Sequence, residues 1–115
     1  MESMRYEPGL ISLTGEVIYE SVGRDLHKKA LKELAYRAIY RCLGELLLPL
    51  DWASFLVIFS PGQGYDEIRC QVDVETNTGH AGFAIGFGLR PSHAFHDAIE
   101  RMQWHEKNAP IRLTG

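Results

Sequence analysis

Between Trp52 and Leu89 the apolar residues fall into three strand-like runs separated by two glycine-marked turns, and the rest of the chain is arranged around them. The first run, Trp52 to Ser60, is apolar at both parities, which is the pattern of a strand covered on both faces. Pro61-Gly-Gln-Gly64 then turns the chain. In the second run Ile68, Cys70, Val72 and Val74 alternate with Glu67, Arg69, Gln71, Asp73 and Glu75, so that one side meets a core and the other meets water. Thr76-Asn-Thr-Gly79 makes the next turn. The third run sets Ala81, Phe83, Ile85, Phe87 and Leu89 on one side against His80, Gly82, Ala84, Gly86 and Gly88 on the other.

On the N-terminal side, Leu10 to Val22 is rich in β-branched and aromatic residues, with Ile11, Leu13, Val17 and Tyr19 sharing a parity. Gly15 interrupts it, either as a bulge in one strand or as the turn of a hairpin; the single bulged strand is the expectation adopted. Asp25 is placed to cap a helix in which Leu26, Ala30, Leu31, Leu34, Ala38, Cys42 and Leu46 recur at helical spacing, and Pro49 ends that helix near Leu47. A second stripe, Tyr36, Tyr40, Leu43 and Leu47, widens its apolar side. Past the third strand, Ser92 is a candidate N-cap for a last helix with Phe95, Ala98, Ile99 and Met102 on its apolar side, running to about His105. Residues 1–9 and 107–115 lack periodicity and are expected to be loosely ordered. These readings predict one α+β domain over residues 1–115, of order β-α-β-β-β-α, with a largely antiparallel sheet and the long helix on one face. Leu34, Ala38, Phe55, Val57, Cys70, Val72, Phe83 and Ile85 are its expected core.

Composition narrows the class without naming a function. At 115 residues and 45% hydrophobic content the chain can build a core without disulfide or metal support. A net charge of -3 disfavours a dedicated nucleic-acid binder. Cys42 and Cys70 both fall at apolar positions, as small core residues in a reducing cytoplasm would. No run is long enough to cross a bilayer and no signal-peptide pattern opens the chain, so a cytoplasmic, soluble protein is expected.

Candidate chemistry is sparse. His93, His96 and Glu100 fall at i, i+3 and i+7, so three potential ligands share one helical face and could hold a zinc ion with an open position. Such a site would make the protein a small metal-dependent hydrolase; the competing reading is a solvated helix face. His80 would join only if the third strand starts beside the last helix. The bare parity of Gly82, Gly86 and Gly88 admits either a ligand or a closely packed helix. Neither Gly62-Gln-Gly64 nor Gly86-Phe-Gly88 opens a helix as a phosphate loop does, no Gly-x-Ser-x-Gly elbow occurs, and no cofactor is called for.

Charge is unevenly placed. Residues 24–41 carry six basic side chains against two acidic, a balance of +4, whereas residues 42–89 carry one against six, a balance of -5. The acidic group Asp66, Glu67, Asp73 and Glu75 lies on and beside the second strand, where it suits rapid capture of a basic partner. The stripe Tyr36, Tyr40, Leu43 and Leu47 exceeds what one sheet needs, which predicts a homodimer through it, with a homodimeric small-ligand binder as a further possibility.

The junction Leu46-Leu-Leu-Pro-Leu-Asp-Trp52, followed by the apolar strand Phe55 to Phe59, resembles the YezG-like group of bacterial immunity proteins, in which a helix, a Leu-Pro-x-x-Trp junction and an antiparallel meander recur. The similarity covers Leu26 to Leu89 and lies in layout. It implies a small cytoplasmic protein that binds and neutralises a toxin, often a nuclease, and it assigns no residue a role. The function expected is therefore an immunity-type inhibitor of a basic protein.

Overall fold

The computed structural model of the chain describes residues 11–22 and 27–106. Its elements run β1 (Ser12–Tyr19), α1 (Lys28–Glu45), β2 (Trp52–Pro61), β3 (Ile68–Thr76), β4 (His80–Gly88), α2 (Pro91–Glu100) and β5 (Gln103–Glu106). The strands form one sheet in the order β1-β2-β3-β4-β5. Only β1 and β2 are parallel, and α1 supplies the crossover that a parallel pair requires. All other neighbours are antiparallel, so the fold is α+β with a mostly antiparallel sheet, as the apolar pattern predicts.

Both helices lie on one face of this sheet. Ala53, Phe55, Val57 and Phe59 of β2 and Cys70, Val72 and Val74 of β3 are buried beneath them, joined by Leu31, Ala35, Ile39 and Leu43 of α1 and Ala94, Phe95 and Ala98 of α2. α1 sits over β1 and the β2 core, with Tyr36 set edge-on to Phe55 at 5.0 Å and the buried Tyr40 hydroxyl donating to the carbonyl of Ile11. α2 sits over β4 and β3. It lies so close that a Cβ on Gly86 would fall 2.2 Å from the Ala98 nitrogen and 2.6 Å from the Ala94 carbonyl oxygen. The glycine parity of β4 therefore receives a helix, and that helix is α2.

This packing corrects the expectation for β4. Phe83 and Ile85, expected in the core, project from the opposite face, where Phe83 is 41% exposed. Bulk that the glycines lack is supplied from above by Phe95, which is fully buried. Nor is β2 covered on both sides, because Leu56 and Ile58 are only half-buried and none of the described elements lies over them. Leu34 and Ala38 are half-buried too, since α1 turns Ala35, Ile39 and Leu43 inward instead.

Further differences are local. β1 pairs with β2 residue for residue and carries no bulge; Gly15 is there because the Phe55 ring would lie 2.2 Å from any Cβ at that position. Ser92 does not cap α2. Arg90 is the cap residue, in extended conformation, with Pro91 opening the helix, where a missing N–H costs nothing. α2 also ends earlier than expected, and Gln103–Glu106 adds a short strand beside the first half of β4, with Trp104 lying across Gly82. The proposed cap Asp25 and the terminal stretches 1–9 and 107–115 lie outside the described residues.

The expected dimer stripe is consumed by the protomer itself. Tyr40 and Leu43 are each 1% exposed, Tyr36 is half-buried against Phe55, and Leu47 alone projects into solvent.

Candidate functional site

With both helices on one side, the other face of the sheet is left open by the described elements. Strand pairing sets its side chains in rows. Leu56, Asp73, Phe83 and Gln103 form one; Ile58, Gln71 and Ile85 form the next; Ser60, Arg69 and Phe87 form a third. β1 extends the first row with Glu16 and the second with Ile18. The face is thus apolar on the β2 and β4 strands, with a polar line down the central strand β3. Phe83 and Phe87 of β4 are each 41% exposed, Leu89 just past β4 is 69% exposed and Ile18 of β1 is 38% exposed, so apolar surface meets water on both sides of the polar line. Exposed apolar surface accompanied by polar groups in this way is of the kind that marks docking sites.

The polar line is internally ordered. Arg69 Nη2 donates to Gln71 Oε1 at 3.3 Å, and Gln71 Nε2 donates to Asp73 Oδ2 at 3.0 Å. This chain of bonds holds the guanidinium at one end of β3 and the carboxylate toward the other. A depression of about 510 Å³, lined by Arg69, Phe87 and the 61–67 loop, adjoins the Arg69 end.

Of the four acidic residues expected to bind a partner, one serves the fold. Glu67 Oε1 accepts from the backbone of Gln63 at 3.1 Å and of Gly64 at 3.0 Å, closing the loop between β2 and β3. Asp66 stands beside it at a positive φ of 59° in that turn. Asp73 and Glu75 do lie on the open face, and Glu16 of β1, which sequence reasoning passed over, sits in the row of Asp73. The signal for Glu16 was its parity opposite Val17 and Tyr19, but only the parallel register to β2 brings it to this row.

The metal-ligand candidates remain apart from any cluster. His93, His96 and Glu100 are exposed on α2, and among the described residues no three His, Cys, Asp or Glu side chains converge to hold an ion. His80 is engaged elsewhere: its Nδ1 shares a hydrogen bond with the Thr78 hydroxyl at 2.9 Å, and its Nε2 faces Glu106 of β5 at 3.5 Å. Asp97 is the α2 carboxylate with a defined task. It accepts from the Phe87 backbone N–H at 2.9 Å and from Arg101 Nε at 3.1 Å, and the backbone bond foremost holds its carboxyl below the usual range. That bond matters because β5 pairs only with His80 to Phe83, so the rest of β4 presents a bare edge.

A second depression, of about 340 Å³, lies between the end of β1 and the start of α1 and is lined by Glu16, Val17, Tyr19, Lys28 and Lys32. Tyr19 stacks on Phe59 at 5.5 Å with Lys28 Nζ 5.2 Å from its ring centre, and burial pushes its hydroxyl up. No helix among the described residues is long and apolar enough to cross a membrane. No protein-family model and no curated protein matches the chain.

Proposed function

We propose that the chain is a protein-binding module whose open sheet face docks a basic protein, acting as an immunity-type inhibitor that neutralises a toxin-like partner. The observation that carries this reading is the open apolar surface of half-buried Leu56, Ile58 and Ile85 and exposed Phe83 and Phe87, crossed by the carboxylates of Asp73 and Glu75 with the cation Arg69 and bordered by Glu16. Aromatic anchors on a rigid sheet lose little conformational freedom on docking, so more of the contact energy appears as affinity. The surplus of carboxylates attracts lysine and arginine side chains at long range and raises the association rate. An inhibitor needs only to cover its target, which accords with a surface rich in docking groups and poor in catalytic ones.

The test is paired retrieval from the native host, with the wild-type chain and an Ile85→Glu variant as baits. Ile85 is half-buried on the open face, away from the helices, so the variant is expected to keep its circular dichroism spectrum and melting profile. A stoichiometric basic protein retained by the wild type and lost by the variant supports the reading. Retention of the same protein by the folded variant refutes the open face as its site.

A further inference from the structure

We infer that, when no partner is bound, a second copy of this chain covers the open face in a two-fold, face-to-face dimer that sets Arg69 of each copy against Asp73 of the other. This rests on the reading of the open face as a docking surface and adds its resting occupant and a form of regulation, since a partner would have to displace the second copy. The argument is one of self-complementarity. β3 is the central strand, and its outward residues run Arg69, Gln71, Asp73, Glu75, with the unlike charges of Arg69 and Asp73 equidistant from Gln71. A two-fold axis that lies in the interface, crosses the strands at right angles and passes over Ile58, Gln71 and Ile85 returns each strand to a copy of itself running the opposite way. Strand pairing then dictates the contacts: Arg69 meets Asp73, Phe87 meets Phe83, and Ile58 and Ile85 each meet their own counterparts. The alternative in-plane axis, along the strands, would stack Arg69 on Arg69 and Asp73 on Asp73. Charge therefore selects the first arrangement.

The area is sufficient. Five strands spaced about 4.8 Å apart, of 8, 10, 9, 9 and 4 residues at about 3.4 Å each, present a face of roughly 650 Å². That approaches the roughly 800 Å² per partner of a standard specific interface. Two packed sheets cross at about -30°, which carries their corners apart. Of the like charges that the same axis would oppose, Glu16 and Glu20 belong to edge strand β1 and fall at those corners, while Glu67, opposite Glu75 at the far ends of the central line, is drawn into its own turn by the Gln63 and Gly64 amides.

Sedimentation equilibrium of the full chain, from low micromolar to near-millimolar concentration, reads the association directly. Arg69→Asp and Asp73→Arg should each weaken the dimer at least about tenfold in Kd, because each breaks two symmetry-related pairs. The double variant, Arg69→Asp with Asp73→Arg, should recover most of that loss, since the swapped charges again meet their opposites. A second measurement does not rely on charge: Ile85→Cys sits on the axis and should form an intermolecular disulfide under oxidised glutathione, whereas His96→Cys, exposed on α2, should not. A wild-type chain that stays monomeric throughout, or a double variant no better than the weaker single one, overturns the dimer. Partner retrieval lost in Ile85→Glu while the wild type is monomeric would overturn the dimer and leave the docking surface standing. Partner retention by Ile85→Glu alongside a rescued double variant would do the reverse.

Discussion

The contact between α2 and β4 can be probed with one methyl group. In Gly86→Ala the added carbon would stand 2.2 Å from the Ala98 nitrogen and 2.7 Å from its Cα, and both atoms belong to helix backbone that no rotamer change can move. To bring the closest approach to an ordinary 3.4 Å, α2 must retreat by about 1.2 Å. Phe95 contributes about 1.5–3 kcal/mol by its burial and the methyls of Ala94 and Ala98 about 0.8 kcal/mol each. A gap of about 1 Å forfeits up to half of such packing. Adding the strain of an imperfect retreat gives an expected loss of about 2–4 kcal/mol, in the upper part of the overpacking range. Urea unfolding followed by circular dichroism should show the midpoint falling by about 1–2 M. Gly44→Ala is the matched control: nothing lies within 4 Å of its added carbon, and its place in α1 predicts a gain of up to about 1 kcal/mol. A Gly86→Ala protein within about 0.5 kcal/mol of wild type, with Gly44→Ala behaving as stated, would show that α2 does not rest on β4 as described.

Other outcomes follow from the same geometry. Phe59→Ala should cost about 3–5 kcal/mol and Phe83→Ala less than about 1 kcal/mol in the same urea assay; equal costs would return Phe83 to the core. Asp97 has a depressed carboxyl, so its contribution to stability is whole above the ordinary carboxyl value near pH 4 and is lost as pH falls through the lower folded value. Asp97→Asn should accordingly lower the melting temperature at pH 7, with the gap to wild type narrowing as the pH is taken down through the acid range; a gap of unchanged size throughout would remove the carboxylate from the account. Burial pushes the Cys70 thiol up to about 12, so a thiol reagent at pH 8 should label it only as fast as the chain unfolds, and prompt labelling in the native state would contradict its place beneath the helices.

How far the fold could be read from the chain depended on whether a strand's two parities differ in polarity or only in size. β3 alternates apolar with charged residues, and its buried side was evident. β4 alternates glycine and alanine with phenylalanine and isoleucine, both apolar, so hydrophobicity favours the bulky side for the core. The distance between helix and sheet decided otherwise, and that distance is set by α2, a different element. β5 was hidden for another reason: Gln103-Trp-His-Glu106 is too short to display a period, and it is a strand because β4 offers it an edge. The acidic surface was half legible. Asp73 and Glu75 follow from strand parity, whereas the capture of Glu67 by its own turn and the arrival of Glu16 across β2 are tertiary facts.

The lone parallel pairing also orders events in time. Every residue of β1 finds its partner forty positions further along, from Ser12 with Trp52 to Tyr19 with Phe59, while β2 and β3 begin pairing at Pro61 and Ile68 and β3 and β4 are linked by a tight turn. Loop-closure entropy makes the near pairings fast and the distant one slow. The meander with α2 is thus the natural nucleus, and β1 is the strand added after α1 has formed and laid down on it. Read backwards, the same hierarchy makes β1 the first of the four long strands to detach, so the chain has a built-in point of partial opening at that edge of the sheet, where Ile18 and Glu16 leave the rows they complete.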